Sequence, residues 1–165
     1  MGQLRQRLTW DQPSGAILDA DRRYVMLRAD VLMGMFASLP PEQRTQALES
    51  LQASVRHHGG ASARAYHANG ASDVASFLQV MADSAADLGW GAWRFGAGDA
   101  ATPTLTVQDS PFATASMGSD RPVCHAITGM LEAVSALVTG EPKTFRETRC
   151  ASMGAPCCEF QAKST

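Results

Sequence analysis

The cysteines constrain this chain more than any other feature. There are four in 165 residues, Cys124, Cys150, Cys157 and Cys158, and none lies before position 124. No apolar run approaches the ~20 residues that span a bilayer. The first thirteen residues are polar and carry two arginines without an apolar stretch of the signal-peptide kind. A cytoplasmic, reducing setting is therefore expected, where clustered thiols serve as metal ligands or reactive groups more often than as disulfides. The length suits one domain with a core of its own. Residues 1–13 are expected as a tail and 14–163 as a single domain. A net charge of −2 excludes a binder that grips nucleic acid by bulk positive charge.

Hydrophobic periodicity sets the order of elements. Two short apolar runs around Asp19-Ala20-Asp21-Arg22 predict a β-hairpin over 15–27. Val31, Leu32, Met35, Phe36 and Leu39 recur at helical spacing, and Pro40-Pro41 ends that helix and opens the next. The second helix runs from about Glu42 to His57, with His57-His58-Gly59-Gly60 as its expected stop. Residues 61–72 read equally as a short helix or a surface loop. Ser72 is placed as the cap of a helix with Val74, Phe77, Leu78, Met81 and Leu88 on one face.

The period then changes to two. Trp93 and Phe95, then Leu105 and Val107, predict a pair of strands around the turn at 96–99. Ser119 or Asp120 is expected to cap a last helix with Pro122 in its first turn and Cys124, Ile127, Leu131, Val134 and Val138 as its stripe. Phe145 and Phe160 belong to a closing hairpin that turns at 153–156. Strands come in pairs and helices in a block. That favours an α+β fold, an antiparallel sheet with helices packed on one face, over a doubly wound nucleotide-binding fold.

Cys150 and Cys158 flank the turn of the closing hairpin, and Cys124 stands near the start of the preceding helix. Glu147 lies three residues before Cys150. Three thiolates and a carboxylate make a tetrahedral donor set. The competing reading is that the cysteines are small buried residues of the apolar stripes. His125 points about 100° round the helix from Cys124, so both are not expected on one ion. A redox pair of Cys157 and Cys158 is disfavoured, because neighbouring cysteines close only a strained ring.

Asp109-Ser110-Pro111-Phe112, Arg121-Pro122-Val123-Cys124-His125, Gly129, Phe145 through Cys150, Met153-Gly154 and Cys158-Glu159-Phe160 together resemble the 4-vinyl reductase domain family. Its members include sensory domains of aromatic-responsive activators, stand-alone hydrocarbon-binding proteins and a bacteriochlorophyll-biosynthesis accessory protein. The resemblance implies a twisted antiparallel sheet backed by helices, similar to trafficking-complex subunits and haem–nitric-oxide sensors, and often dimeric. It implies a structural zinc on Cys124, Glu147, Cys150 and Cys158. Iron is the alternative in so thiolate-rich a shell.

It also implies a pocket for a hydrophobic small molecule, aromatic or tetrapyrrole-like. The apolar candidates are Phe77, Trp93, Val107, Leu131, Val134 and Phe145, with Tyr66 and His67 as candidate hydrogen-bond donors. Phenol sensors carry a pocket tryptophan at the position of Val107, so a phenol specificity is not expected here. The expected function is a zinc-stabilised sensor or carrier without chemistry of its own. An accessory role in tetrapyrrole metabolism and a ligand-free dimeric docking module are the alternatives. Despite the family name, the sequence has no G-x-G-x-x-G after a strand to hold a hydride donor, and no phosphate-binding loop. Signal output is expected through a partner protein.

Overall fold

Period-two burial builds the principal sheet. The computed structural model describes residues 4–68, 73–96 and 104–163. Four antiparallel strands, β4 (Ala92–Phe95), β5 (Thr104–Gln108), β6 (Phe145–Arg149) and β7 (Cys158–Ala162), lie in the order β4-β5-β7-β6. Trp93, Leu105, Val107, Phe145, Cys158 and Phe160 point into the core, while Arg94, Arg146 and Gln161 stay exposed. One face is thus apolar and must be covered. Helix α7 (His125–Thr139) covers it, with α3 (Pro41–Ser54) packed on α7 and α5 (Val74–Asp87) packed on β4. The expected α+β architecture, with helices on one face of an antiparallel sheet, is the one observed.

Helix α7 is buried almost all round from Ala126 to Val134 because it is sandwiched between the sheet and α3. The sandwich is tight at Gly129. A β-carbon there would stand 2.2 Å from the carbonyl oxygen of Gln52. Gly59 and Gly60 have the same use: β-carbons would meet Met130 at 2.6 Å and Ala133 at 3.0 Å. These two glycines, expected to stop the second helix, let it continue instead. The chain passes through a π turn (Val55–Gly59) into α4 (Gly60–Ala68).

Three further expectations are corrected. The 16–24 hairpin forms, as β2 (Ala16–Asp19) and β3 (Arg22–Tyr24), but it joins β1 (Thr9–Asp11) in a separate three-stranded sheet. The segment read as a tail therefore carries β1 and a short helix α1 (Leu4–Arg7), whose Leu4 is 1% exposed. In α2 (Ala29–Ala37) the buried side chains are Met33 and Phe36, while Val31 and Met35 face outward. The last helix starts at His125, because residues before it run extended and carry Val123 and Cys124 inward.

Asp73 caps α5, accepting a hydrogen bond from the Ser76 N–H at 2.9 Å. Asp73→Ala is expected to cost about 1 kcal/mol, read as a shift in the urea midpoint at unchanged slope. The expected cap Ser72, the rest of 69–72, the turn beyond Gly96 and the side chains of Tyr66 and His67 lie outside the described residues. No helix among the described residues is long and apolar enough to cross a membrane.

Candidate metal centre

Four elements deliver one donor each to a single buried point. Cys124 is the residue before the first turn of α7. Glu147 sits in edge strand β6 just before a register shift, or bulge, between Glu147 and Arg149. Cys150 leads into a 3-10 turn (Ala151–Met153) that Gly154 closes at φ 91°. Cys158 opens β7, paired with Val107 of β5. The donor atoms of Cys124, Glu147, Cys150 and Cys158 all lie within 4.8 Å of one another. The Cys124 and Cys158 sulfurs are 3.7 Å apart. That is the sulfur–sulfur edge of a tetrahedron with metal–sulfur bonds of ~2.3 Å, about 3.8 Å. Half-buried Cys157 stands outside this cluster. His125 turns away, its Nδ1 lying 3.1 Å from Gln52 Oε1, and burial holds its pKa below the ordinary histidine range.

The surroundings are built around the cluster. Glu147 Oε2 accepts the Cys124 backbone N–H at 3.0 Å, so the carboxylate supplies the helix-start acceptor that Ser119 or Asp120 was expected to provide. Its other oxygen, Oε1, is buried and has no hydrogen-bond partner. A buried carboxylate oxygen left bare is costly unless something positive meets it. Ser110 and Ser152 hydroxyls lie 3.3 and 3.0 Å from the Cys124 and Cys150 sulfurs. The Ala151 N–H points at Cys158 Sγ from 3.4 Å. Such donors orient thiolates and ease their charge.

The charges point the same way. Hydrogen bonds from Cys124 and Cys158 hold the Cys150 thiol far below its ordinary range. The thiolate so formed pushes Cys124 up through its hydrogen bond, with Cys158 and burial adding to the shift. Cys158 also ends up raised: its bond with Cys124 favours ionisation, but the one with Cys150, together with burial, outweighs it. Burial, then the Cys150 anion, raises Glu147 to about 8. Four acidic groups at one point settle on one negative charge when nothing positive is present. A divalent cation removes the reason for the other protons, so the donor set fits a metal ion.

This predicts opposite pH trends with and without metal. In the metal-free protein the folded pKa of Glu147 lies above its unfolded value of about 4.5, so its contribution is present below pH 4.5 and is lost as pH rises through 8. Chelator-treated protein should lose thermal stability across that window, whereas metal-loaded protein should gain it as ligand protons leave. Parallel melting curves at pH 5 and pH 8 check this.

The apolar pocket candidates are dispersed through the core. Phe77, Trp93, Val107, Leu131 and Val134 pack in one closed cluster and border neither of two cavities nearby. Phe145 borders the larger, of about 550 Å³, between α3, α7 and β6. The smaller, of about 300 Å³, is apolar and lies between α2, α3 and the chain at 115–123, lined by Met33, Phe36, Leu48, Met117 and Val123. Its lining was not anticipated, although Phe36 and Leu48 stand on the predicted stripes.

A sheet backed by helices on one face, with a buried three-cysteine, one-carboxylate cluster tying the last helix to the last hairpin, defines a class of small α+β domains. The chain carries a 4-vinyl reductase domain, whose family model matches residues 103–164, as the motif resemblance had indicated. The fold is that of the phenol-responsive sensory domain of the transcription activator PoxR, solved with phenol. That structure is 18% identical at a TM-score of 0.78, over 97% of this chain and 86% of that one. A vinyl-4-reductase family protein from Methanocaldococcus jannaschii is similar at 12% identity and TM-score 0.53, over 83% of this chain and 90% of that one. Trafficking protein particle complex subunit 3 from Naegleria fowleri, covalently bound to palmitic acid, is similar at 12% identity and TM-score 0.54, over 82% and 93%. No curated protein matches the sequence.

Proposed function

We propose that this chain is a zinc-stapled binding module for a hydrophobic small molecule, a sensor or carrier that performs no chemistry itself. The observation that carries the zinc assignment is the bare, buried Glu147 Oε1 at the centre of three converging sulfurs. Three thiolates and one carboxylate close a tetrahedral shell and leave no position for substrate, the hallmark of a structural site. Zinc suits such a shell better than iron, having no geometric preference beyond the tetrahedron. Cys124, Glu147, Cys150 and Cys158 would hold it and so fasten α7 to the β6–β7 hairpin. Residues 14–163 form the binding domain on this reading.

Small-molecule binding is supported by the family match and by the likeness to a domain that responds to phenol. The ligand space we assign is the apolar 300 Å³ cavity, with Phe77, Trp93, Val107, Leu131, Val134 and Phe145 as the packed interior beside it. Native and denaturing mass spectrometry of the purified chain test both halves. One zinc per chain with an additional small-molecule mass lost on denaturation is expected. No metal with four free thiols would overturn the zinc assignment. One zinc with no ligand mass, and no uptake of toluene or phenol, would overturn the sensor reading.

We also propose a homodimer. Val25, Met26 and Leu27 lie exposed beside Val31 and Met35 on the outer side of α2, with Val25 at 82% and Met26 at 75%. An apolar run this open is a liability in a monomer. Wild-type protein should run as a dimer in light-scattering chromatography. Met26→Glu with Val31→Glu should give a monomer, and a monomeric wild type would refute the assignment. Output then passes from the dimer to a partner protein.

A further inference from the structure

The 550 Å³ cavity has a chemistry unlike the apolar one and shares no lining residue with it. One wall is a chain of four polar side chains. Arg56, in the π turn, approaches Glu132 Oε2 at 3.4 Å. The Gln52 amide nitrogen donates to Glu132 Oε1 at 3.0 Å. Gln52 Oε1 accepts from His125 Nδ1 at 3.1 Å. Glu132 is 6% exposed, and a carboxylate held that deep needs its donors.

The chain fixes each member in turn. A carboxylate only accepts, so the Gln52 amide must present its NH₂ to Glu132 and its oxygen to His125. His125 Nδ1 then carries the proton, and Nε2 keeps a bare lone pair on a residue that lines the cavity. The fold supports this placement: Gly129 lets α7 approach α3 at Gln52 itself. Lone π turns inside helices recur at functional sites, and this one holds Arg56.

The remaining wall is cationic with an apolar floor. Arg146 and Lys163 line the cavity and have no ion-pair partner among the described residues. Arg121 pairs with Asp120 outside it. Glu49 is the one lining carboxylate outside both the Glu132 chain and the cysteine cluster. Phe145 and Pro122 supply apolar surface. The volume suits a ligand of roughly drug-fragment size.

We propose that this cavity binds a small hydroxylated organic acid, its hydroxyl donating to His125 Nε2 and its carboxylate meeting Arg146 and Lys163. The site is independent of the apolar cavity and would stand if that one proved empty.

Titration calorimetry on the full chain, with zinc content measured alongside, tests it with three probes. 4-Hydroxybenzoate should bind. 4-Methoxybenzoate, which keeps the acid but cannot donate, should bind about tenfold more weakly, the worth of one hydrogen bond. Phenol, without the acid, should be weakened to a similar degree. Gln52→Leu should erase the difference between the hydroxy and methoxy acids by freeing the imidazole. The exposed pair Arg146→Ser with Lys163→Ser, which leaves the core untouched, should weaken 4-hydroxybenzoate about tenfold. Equal affinity for the two acids, indifference to the double serine variant, or no binding of 4-hydroxybenzoate to fully zinc-loaded protein would each overturn the proposal. Phenol binding that survives the double serine variant and is lost on filling the other cavity with Leu48→Trp would overturn it while sustaining the hydrophobic-ligand reading.

Discussion

Cys124→Ser is expected to strip the metal from the chain and to lower its melting temperature by about 10 °C or more. The sulfur of Cys124 is fully buried, 3.7 Å from Cys158 and 3.3 Å from Ser110. A serine hydroxyl is shorter and does not ionise near neutral pH, so the shell falls to two sulfurs and a carboxylate. Apparent binding of a structural zinc runs to ~10 kcal/mol or more, comparable with the whole stability of a domain. Forfeiting even ~3 kcal/mol of it lowers the melting point by about 10 °C at this size. Atomic absorption and calorimetry on the same sample provide the check. A variant that keeps one metal per chain and melts within about 2 °C of wild type would refute the assignment. Cys157→Ser, outside the cluster, is the matched control and should leave both readings unchanged.

Gly129→Ala should cost about 3 kcal/mol, an unusual penalty for adding one methyl group. The methyl would lie 2.2 Å from the Gln52 carbonyl oxygen, with the carbonyl carbon at 3.0 Å and the α-carbon at 3.2 Å. These are backbone atoms of α3, which cannot swing aside as a side-chain tip can. The two helices must part, loosening the packing along their shared seam. Gly34→Ala is the counter-test. Gly34 lies inside α2, and a β-carbon added there would meet nothing within 4 Å. There alanine should raise stability by roughly 0.5–1 kcal/mol, since it limits the unfolded chain without a clash. Chemical denaturation of both variants settles the contrast.

Alternation and helical spacing disclosed the main sheet, α5, α7 and the closing hairpin, because those elements bury one face each and their sequences show it. The cluster was legible for a similar reason: cysteines near a helix start and at both ends of a hairpin turn, with a glutamate three residues upstream, are local patterns. What escaped depended on partners far along the chain. Gly59-Gly60 has the appearance of a helix stop, and only the approach of Met130 and Ala133 reveals it as a contact. Cys124 lacks the usual side-chain cap because its acceptor, Glu147, arrives from another element. Val31 and Met35 belong to an apolar stripe yet face outward, since α2 is covered along the Met33–Phe36 side. The polar chain from Arg56 to His125 joins residues about 70 positions apart, which no spacing rule can reach.

Strand β6 is the margin of the main sheet, and margins of sheets invite other molecules to add a strand. Here the invitation is withdrawn by the cluster itself. The bulge that follows Glu147 breaks the regular row of backbone donors and acceptors, and Arg146 and Arg149 flank it with like charge. A second chain seeking to extend the sheet would meet an interrupted ladder and two guanidinium groups. The irregularity next to the donor carboxylate thus also guards against edge-to-edge aggregation, keeping the sheet at four strands while its neighbours in a crowded solution stay apart.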